Sequence, residues 1–180
     1  MQSSDIQSKL PASIRTSDPD FVLRFACAED TGTIMYFIKE LAHYEKMESE
    51  VAATEENIRE TLFVHKCAEV IIAEYQMKPV GFLLYFYNYS TFLGQPGIYL
   101  EDLYLVPEVR NMGFGRMILA FLAQLAIDRS CGRIEWSCLD WNLPSRRFYD
   151  SIGANAKDEW IGYRLSGKAM TDLADKAREF

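Results

Sequence analysis

Hydrophobic positions recur along this chain with two periods. Residues 21–27 (FVLRFAC) alternate and are rich in β-formers, which predicts a first strand. From 29 to 44, Ile34, Phe37, Ile38 and Leu41 recur at helical spacing and mark one buried helix face. An acidic stretch follows at 45–56, with Glu45, Glu48, Glu50, Glu55 and Glu56. Within it Thr54 is placed to cap a short helix whose apolar side holds Ile58 and Leu62. Residues 68–75 and 80–88 read as two strands joined by Gln76-Met77-Lys78-Pro79, a hairpin. Gly94, Pro96 and Gly97 break the pattern over 89–97.

The stretch 99–129 organises the rest. An apolar strand carrying two adjacent carboxylates, Glu101 and Asp102, runs into the loop Arg110-Asn111-Met112-Gly113-Phe114-Gly115-Arg116, and that loop opens into an amphipathic helix. A strand at 133–138 comes next. Asn142 then suits a helix N-cap with Pro144 tolerated in the first turn, and Gly153 supplies a left-handed stop after about Ile152. Strands near 154–157 and at 160–165 and a short polar helix close the chain. The order is β-α-α-β-β-β-α-β-α-β-β. The connection through the central helix is long enough for a parallel crossover, so a mixed sheet with helices on both faces is expected.

Composition narrows the partners. With 180 residues the chain fits one domain, and 49% apolar with 25% charged residues is the balance of a soluble globular protein. A net charge of -7 argues against nucleic acid or an anionic membrane as main partner and mildly favours a cationic small molecule. No apolar run approaches the roughly 18 residues of a membrane span. Residues 1–20 are polar, lack the apolar core of a signal peptide, and read as a flexible or loosely attached extension. Cys27, Cys67, Cys131 and Cys138 show no CxxC spacing, which suits reduced, mostly buried thiols of a cytoplasmic protein. The two histidines, His43 and His65, lie far from any cysteine pair, so no metal is expected.

Arg110, Gly113 and Gly115 match R-x-x-G-x-G. Glycine at these places lets phosphate oxygens reach backbone N–H groups at a helix start, and Arg110 and Arg116 can offset phosphate charge. A dinucleotide fingerprint fails because Ile118 stands where a third Gly or Ala is needed, and a Walker A loop fails because Arg116-Met117 follows Gly115. A tight strand-to-helix turn without a ligand remains the alternative on these residues alone.

Four blocks, KELAHYEKM, YLEDLYLVPEVRNMGFG, LDWNLPSRRFYDSIGA and the segment after Glu159-Trp160, carry a resemblance. They resemble the GNAT N-acetyltransferases, and within them the spermidine/spermine (diamine- and thialysine-type) branch. The resemblance spans about residues 21–170 and implies an extension at 1–20 followed by one N-acetyltransferase domain at 21–180. It also implies an α/β fold of about seven strands in a mixed, twisted sheet, with a splayed central pair of parallel strands. Acetyl-CoA is the implied co-substrate. The main chain of Leu103, Tyr104 and Leu105 would pair with the pantetheine arm. Asn111, Met112, Gly113, Phe114, Gly115 and Arg116 would cradle the pyrophosphate, and Asn142, Leu143, Pro144 and Ser145 would border the cofactor.

Acetyl transfer to an amine needs a base for the ammonium proton, donors for the carbonyl oxygen and a proton for the leaving thiolate. A phenol, with pKa about 10, is protonated at neutral pH, and the resemblance puts Tyr149 at the donor to sulfur. Glu101 and Asp102 would point to opposite faces of a regular strand unless a bulge re-aims one of them. The resemblance makes Glu101 the base, acting through water, and Asp102 a supporting carboxylate. It nominates Tyr44, Glu45, Glu135, Trp136, Ser137 and Glu159 for the cationic substrate. Ser90 and Leu143 stand where polyamine enzymes carry acidic or polar residues, which weakens the case for a long polycation and points to a diamine or a lysine-, ornithine- or thialysine-like amino acid. The competing readings are acetylation of a protein N-terminus or lysine, and a CoA-binding module without turnover. A homodimer is expected from the resemblance.

Overall fold

Phe21 and Leu23, two residues apart on strand β2 (Phe21–Phe25), are fully buried. Their burial begins a six-stranded sheet. The structure, a computed structural model, describes residues 14–177 in two compact units, one ending at Ser137 and one beginning at Cys138.

In the first unit β1 (Ile14–Arg15), β2, β3 (Glu69–Tyr75), β4 (Lys78–Ser90), β5 (Gln95–Leu105) and β6 (Ile134–Trp136) lie side by side in sequence order. All neighbours are antiparallel except β5 and β6, which are parallel. The sheet is therefore mixed, and its one parallel pair carries the crossover. Ile14 and Arg15 pair with Leu23 and Val22, so the end of the expected extension is tied to the sheet edge. Residues 1–13 of that extension lie outside the described residues.

Helix α1 (Thr31–Glu45) covers one face, with Phe37 stacked on Phe82 at 5.8 Å between ring centroids. The short α2 (Glu55–Ile58) follows the Thr54 cap, whose side chain accepts from Asn57 N–H, and its Ile58 joins the same core. Helix α3 (Phe114–Asp128) covers the other face, where Phe114 stacks on Phe21 at 3.9 Å. Ile118, Leu122 and Leu125 bury the rest of its stripe, at about 2 kcal/mol or more per side chain removed from water. At the end of α3 the Arg129 guanidinium forms two bonds to Glu69, at 2.6 and 3.0 Å, and Tyr85 O–H donates to the same carboxylate at 3.0 Å.

Two boundaries differ from the sequence pattern. The β3–β4 turn is shorter than read: Gln76 and Met77 both take positive φ (51° and 63°), and β4 already begins at Lys78. Two left-handed residues make the turn whose twist matches a tight hairpin. The interval 89–97 is mostly ribbon rather than loop. Strands β4 and β5 pair out to Ser90 and Gln95, and Gly94 at φ 64° closes the tip. All four cysteines are free, but Cys27 and Cys67 are exposed rather than buried.

The second unit contains α4 (Leu143–Ser151) and α5 (Gly167–Lys176). Asn142 Oδ1 accepts from Ser145 N–H at 3.3 Å, and Gly153 has φ 85°, as its place after the helix requires. The strands expected at 154–157 and 160–165 are not formed, and β1, which was not expected, is added, so the sheet has six strands rather than about seven. Their residues alternate like a strand, but β-propensity is realised only against a ladder partner. Among the described residues none pairs with them, and Trp160, Ile161 and Tyr163 are exposed.

Candidate active site

The register of β4 and β5 fixes the site. Tyr85 stands opposite Leu100 and Leu84 opposite Asp102, so Glu101 is an extra residue without a partner. This is a bulge, and a bulge shifts every later side chain to the other face. Tyr99, opposite Phe86, and Asp102, opposite Leu84, therefore share the α1 face, and Tyr104 follows there against Phe37. Both carboxylates line one open cavity of 480 Å³. Glu45 at the end of α1 and Glu50 in the turn Glu48–Glu50 line it too, with Ile38 and Leu41 as apolar wall.

The cavity has a charge consequence. Burial pushes the Asp102 carboxyl up to about 6, helped by the negative charges of Glu101 and Glu45. Burial also raises Glu45. Four carboxylates around one space repel one another, and a cationic guest relieves that repulsion.

The neighbouring edge of β5 is open. Strand β6 pairs with Ile98, Tyr99 and Leu100, so from Glu101 onward β5 is laddered on one side alone among the described residues. Val106 N–H donates to Val80 O at 2.9 Å, and the same trans peptide turns Leu105 O to the open edge. Leu103 faces that edge as well, one pleat earlier. Strand β6 ends at Trp136, so the splay expected between the central parallel strands is seen only as this end of their pairing.

The loop after β5 is shaped by two left-handed residues, Asn111 (φ 65°) and Gly113 (φ 87°). Gly113 is the N-cap of α3, and a Cβ built on it meets nothing within 4 Å. Val109 and Phe114, both buried, pin the loop at either end. The N–H groups of Arg116 and Met117 donate to Gly113 O, those of Phe114 and Gly115 come before the first of these bonds, and an anion placed before Gly113 meets the positive end of a dipole. A pyrophosphate fits this cradle. Arg110 does not face it: its Nε donates to Leu105 O at 2.9 Å, and its guanidinium lies over the rings of Tyr44 and Tyr104.

Other nominated residues have other neighbours. Glu135 accepts from Asn88 Nδ2 at 2.7 Å and pairs with Arg133 at 2.8 Å, and Ser137 Oγ lies 2.7 Å from Tyr99 Oη. Glu135, Trp136, Ser137 and Tyr44 do not line the acidic cavity. Ser90 is buried and accepts from Leu93 N–H at 3.2 Å, so it builds the hairpin tip. In the second unit the Tyr149 ring lies 5.5 Å from that of Phe148, Leu143 is exposed, and Glu159 is 3.8 Å from Lys157. Glu50 was not singled out in the sequence; its only signal was membership of the acidic stretch.

Comparison with known proteins agrees with this geometry. The acetyltransferase (GNAT) family profile matches residues 25–154. The thialysine N-epsilon-acetyltransferase of Bos taurus is 38% identical, covering 86% of this chain and 98% of its own. The L-ornithine N5-acetyltransferase NATA1 of Arabidopsis thaliana is 37% identical over 62% of this chain and 46% of its own. An integron cassette protein from the mobile metagenome of V. cholerae superposes with a TM-score of 0.72 at 27% identity, covering 86% of this chain and 98% of its own. With strand, bulge, open edge and loop arranged in this order, the chain belongs to the GNAT family of acetyltransferases.

Proposed function

We propose that this enzyme transfers the acetyl group of acetyl-CoA directly to a primary amine of a small cationic metabolite, a diamine or a lysine-, ornithine- or thialysine-like amino acid. The observation that carries this reading is the bulge at Glu101, which brings two adjacent carboxylates into one acidic cavity beside an open strand edge. The names of the relatives, acetyltransferases for thialysine and ornithine, support the same class of acceptor.

Each residue then has a task. The open-edge amides of Leu103 and Leu105 pair with the pantetheine arm, and the backbone of residues 111–116 holds the pyrophosphate. Glu45, Glu50 and Asp102 attract and orient the ammonium group. Glu101 takes its proton through water, which makes the nitrogen a nucleophile. Tyr149 donates its phenolic proton to the leaving thiolate. Residues 142–145 border the donor. No covalent enzyme intermediate is involved. The enzyme works as a cytoplasmic homodimer.

A panel of amines tests the proposal: putrescine, diaminopropane, spermidine, ornithine, lysine and thialysine, read by thiol release from acetyl-CoA and by product mass. Diamines or diamino acids are expected to gain 42 mass units, the mass of an acetyl group replacing a proton, on one nitrogen. CoA binding without turnover on any of them contradicts the proposal.

A further inference from the structure

Arg110 belongs to the strand-to-helix loop, yet its side chain leaves that loop toward β5 and α1. Its backbone is extended (φ -68°, ψ 155°), and Nε holds Leu105 O, the carbonyl on the open edge, at 2.9 Å. The guanidinium carbon lies 5.0 Å from the ring centroid of Tyr44 and 5.4 Å from that of Tyr104. Tyr104 is only 5% exposed and packs on Phe37, so that side of the contact is fixed. Tyr44 sits in the last turn of α1, immediately before Glu45, which lines the acidic cavity. Ring quadrupoles on two sides and the negative end of the α1 dipole all favour a planar cation there. These contacts coexist only when the loop, the edge of β5 and the end of α1 keep one relative placement.

We propose that Arg110 is a positioning residue that couples the donor loop to the amine cavity, rather than a ligand of the donor's phosphates. The inference rests on the acetyl-transfer reading above. Ordering the loop around a donor fixes the guanidinium, the guanidinium fixes Tyr44, and the end of α1 then presents Glu45 to the amine. Donor binding therefore tightens amine binding, and by linkage the amine tightens the donor by the same factor. Lysine cannot replace this arginine, because a single ammonium cannot meet both rings and also hold Leu105 O.

The test uses Arg110→Met, Arg110→Lys, Tyr44→Leu and the Arg110→Met/Tyr44→Leu double variant in the full chain. Amine KM and kcat are measured, together with affinity for CoA and for pantetheine, which lacks the pyrophosphate. Amine KM is expected to rise about tenfold in Arg110→Met, within the usual range of coupling between sites. The double variant should be no worse than the worse single one, since both remove one contact. The ratio of CoA to pantetheine affinity should stay at the wild-type value. A loss confined to CoA, with pantetheine affinity and amine KM unchanged, makes Arg110 a phosphate ligand and overturns the proposal. If Arg110→Met does not fold, Arg110→Lys decides: a wild-type amine KM in that variant overturns the proposal equally. Wild-type protein that acetylates no amine removes the functional reading instead. The CoA to pantetheine ratio then still reports whether Arg110 meets phosphate.

Discussion

Asp102 stands opposite Leu84 on β4, one step after Leu100 stands opposite Tyr85, and Glu101 is left over between them. That single extra residue puts neighbouring carboxylates into one cavity, where a regular strand would have parted them. Asp102 therefore binds its proton more tightly folded than unfolded: about 6 against 3.8. By linkage, its contribution to stability falls as pH rises from 3.8 to about 6, and above that the ionised group destabilises the fold. Asp102→Asn is expected to raise unfolding free energy at pH 7 by about 2 kcal/mol while lowering amine affinity. Denaturant melts at pH 4 and pH 7 check the first expectation, with the gain present only at the higher pH. Amine KM for the wild type should rise as pH falls through about 6.

Asp30 shows the opposite sign. Its carboxylate accepts from Arg24 Nη1 and Nη2 at 2.7 and 2.8 Å, and this pairing, partly opposed by burial, holds it down at about 2. The folded value lies below the unfolded 3.8, so the pair stabilises fully above 3.8 and is lost as pH falls toward about 2. Asp30→Ala is expected to cost about 2 kcal/mol at pH 7, in the range for hydrogen bonds to charged groups. Thermal melts across pH 2–7 check it, since the penalty should shrink at the acid end.

Two glycines separate folding from binding. A Cβ on Gly81 would lie 2.2 Å from Tyr104 O, backbone of the neighbouring strand, so Gly81→Ala should destabilise by about 1–3 kcal/mol or shift β5. A Cβ on Gly113 meets nothing, but the residue has φ 87°. Gly113→Ala is expected to cost about 1–2 kcal/mol of stability, from the left-handed backbone alone. It should also lower CoA affinity at least tenfold, because the methyl group enters the phosphate cradle. Calorimetry of CoA binding beside a melt distinguishes the two.

Tyr149→Phe removes one hydroxyl. It is expected to lower kcat by about 10²–10⁴-fold, the range for a lost general acid, with little change in CoA affinity. Turnover at the wild-type level with both substrates saturating takes Tyr149 out of the acid role.

Much of the architecture was legible in the chain. The helical spacing of Ile34, Phe37 and Leu41 marked the face of α1 that meets the sheet, and Asn142, Pro144 and Gly153 bounded α4. YLED and the glycine loop pointed to the donor edge. The bulge was legible only as an alternative to a regular strand at Glu101 and Asp102, because register is set by the partner strand and not by the strand that carries the extra residue. The alternating residues at 160–165 read as a strand because propensity is local, whereas forming one requires a ladder. Arg110 matched a phosphate motif by spacing, but its side chain is claimed by Leu105 O, Tyr44 and Tyr104, one of them far away in sequence. Glu50 lies in an acidic run of five glutamates, and nothing in their spacing set it apart from its neighbours as a cavity residue.

Proton removal from the amine depends on Glu101, the carboxylate that the bulge sets free. The most direct measurement is kcat/KM for the best amine of the panel in wild type and in Glu101→Gln, with CoA affinity measured alongside. A loss of at least about 10²-fold with CoA affinity unchanged is the predicted result, as expected for removal of a general base. A kcat/KM equal to the wild type in Glu101→Gln would contradict the assignment of the bulged cavity as the place where the amine loses its proton.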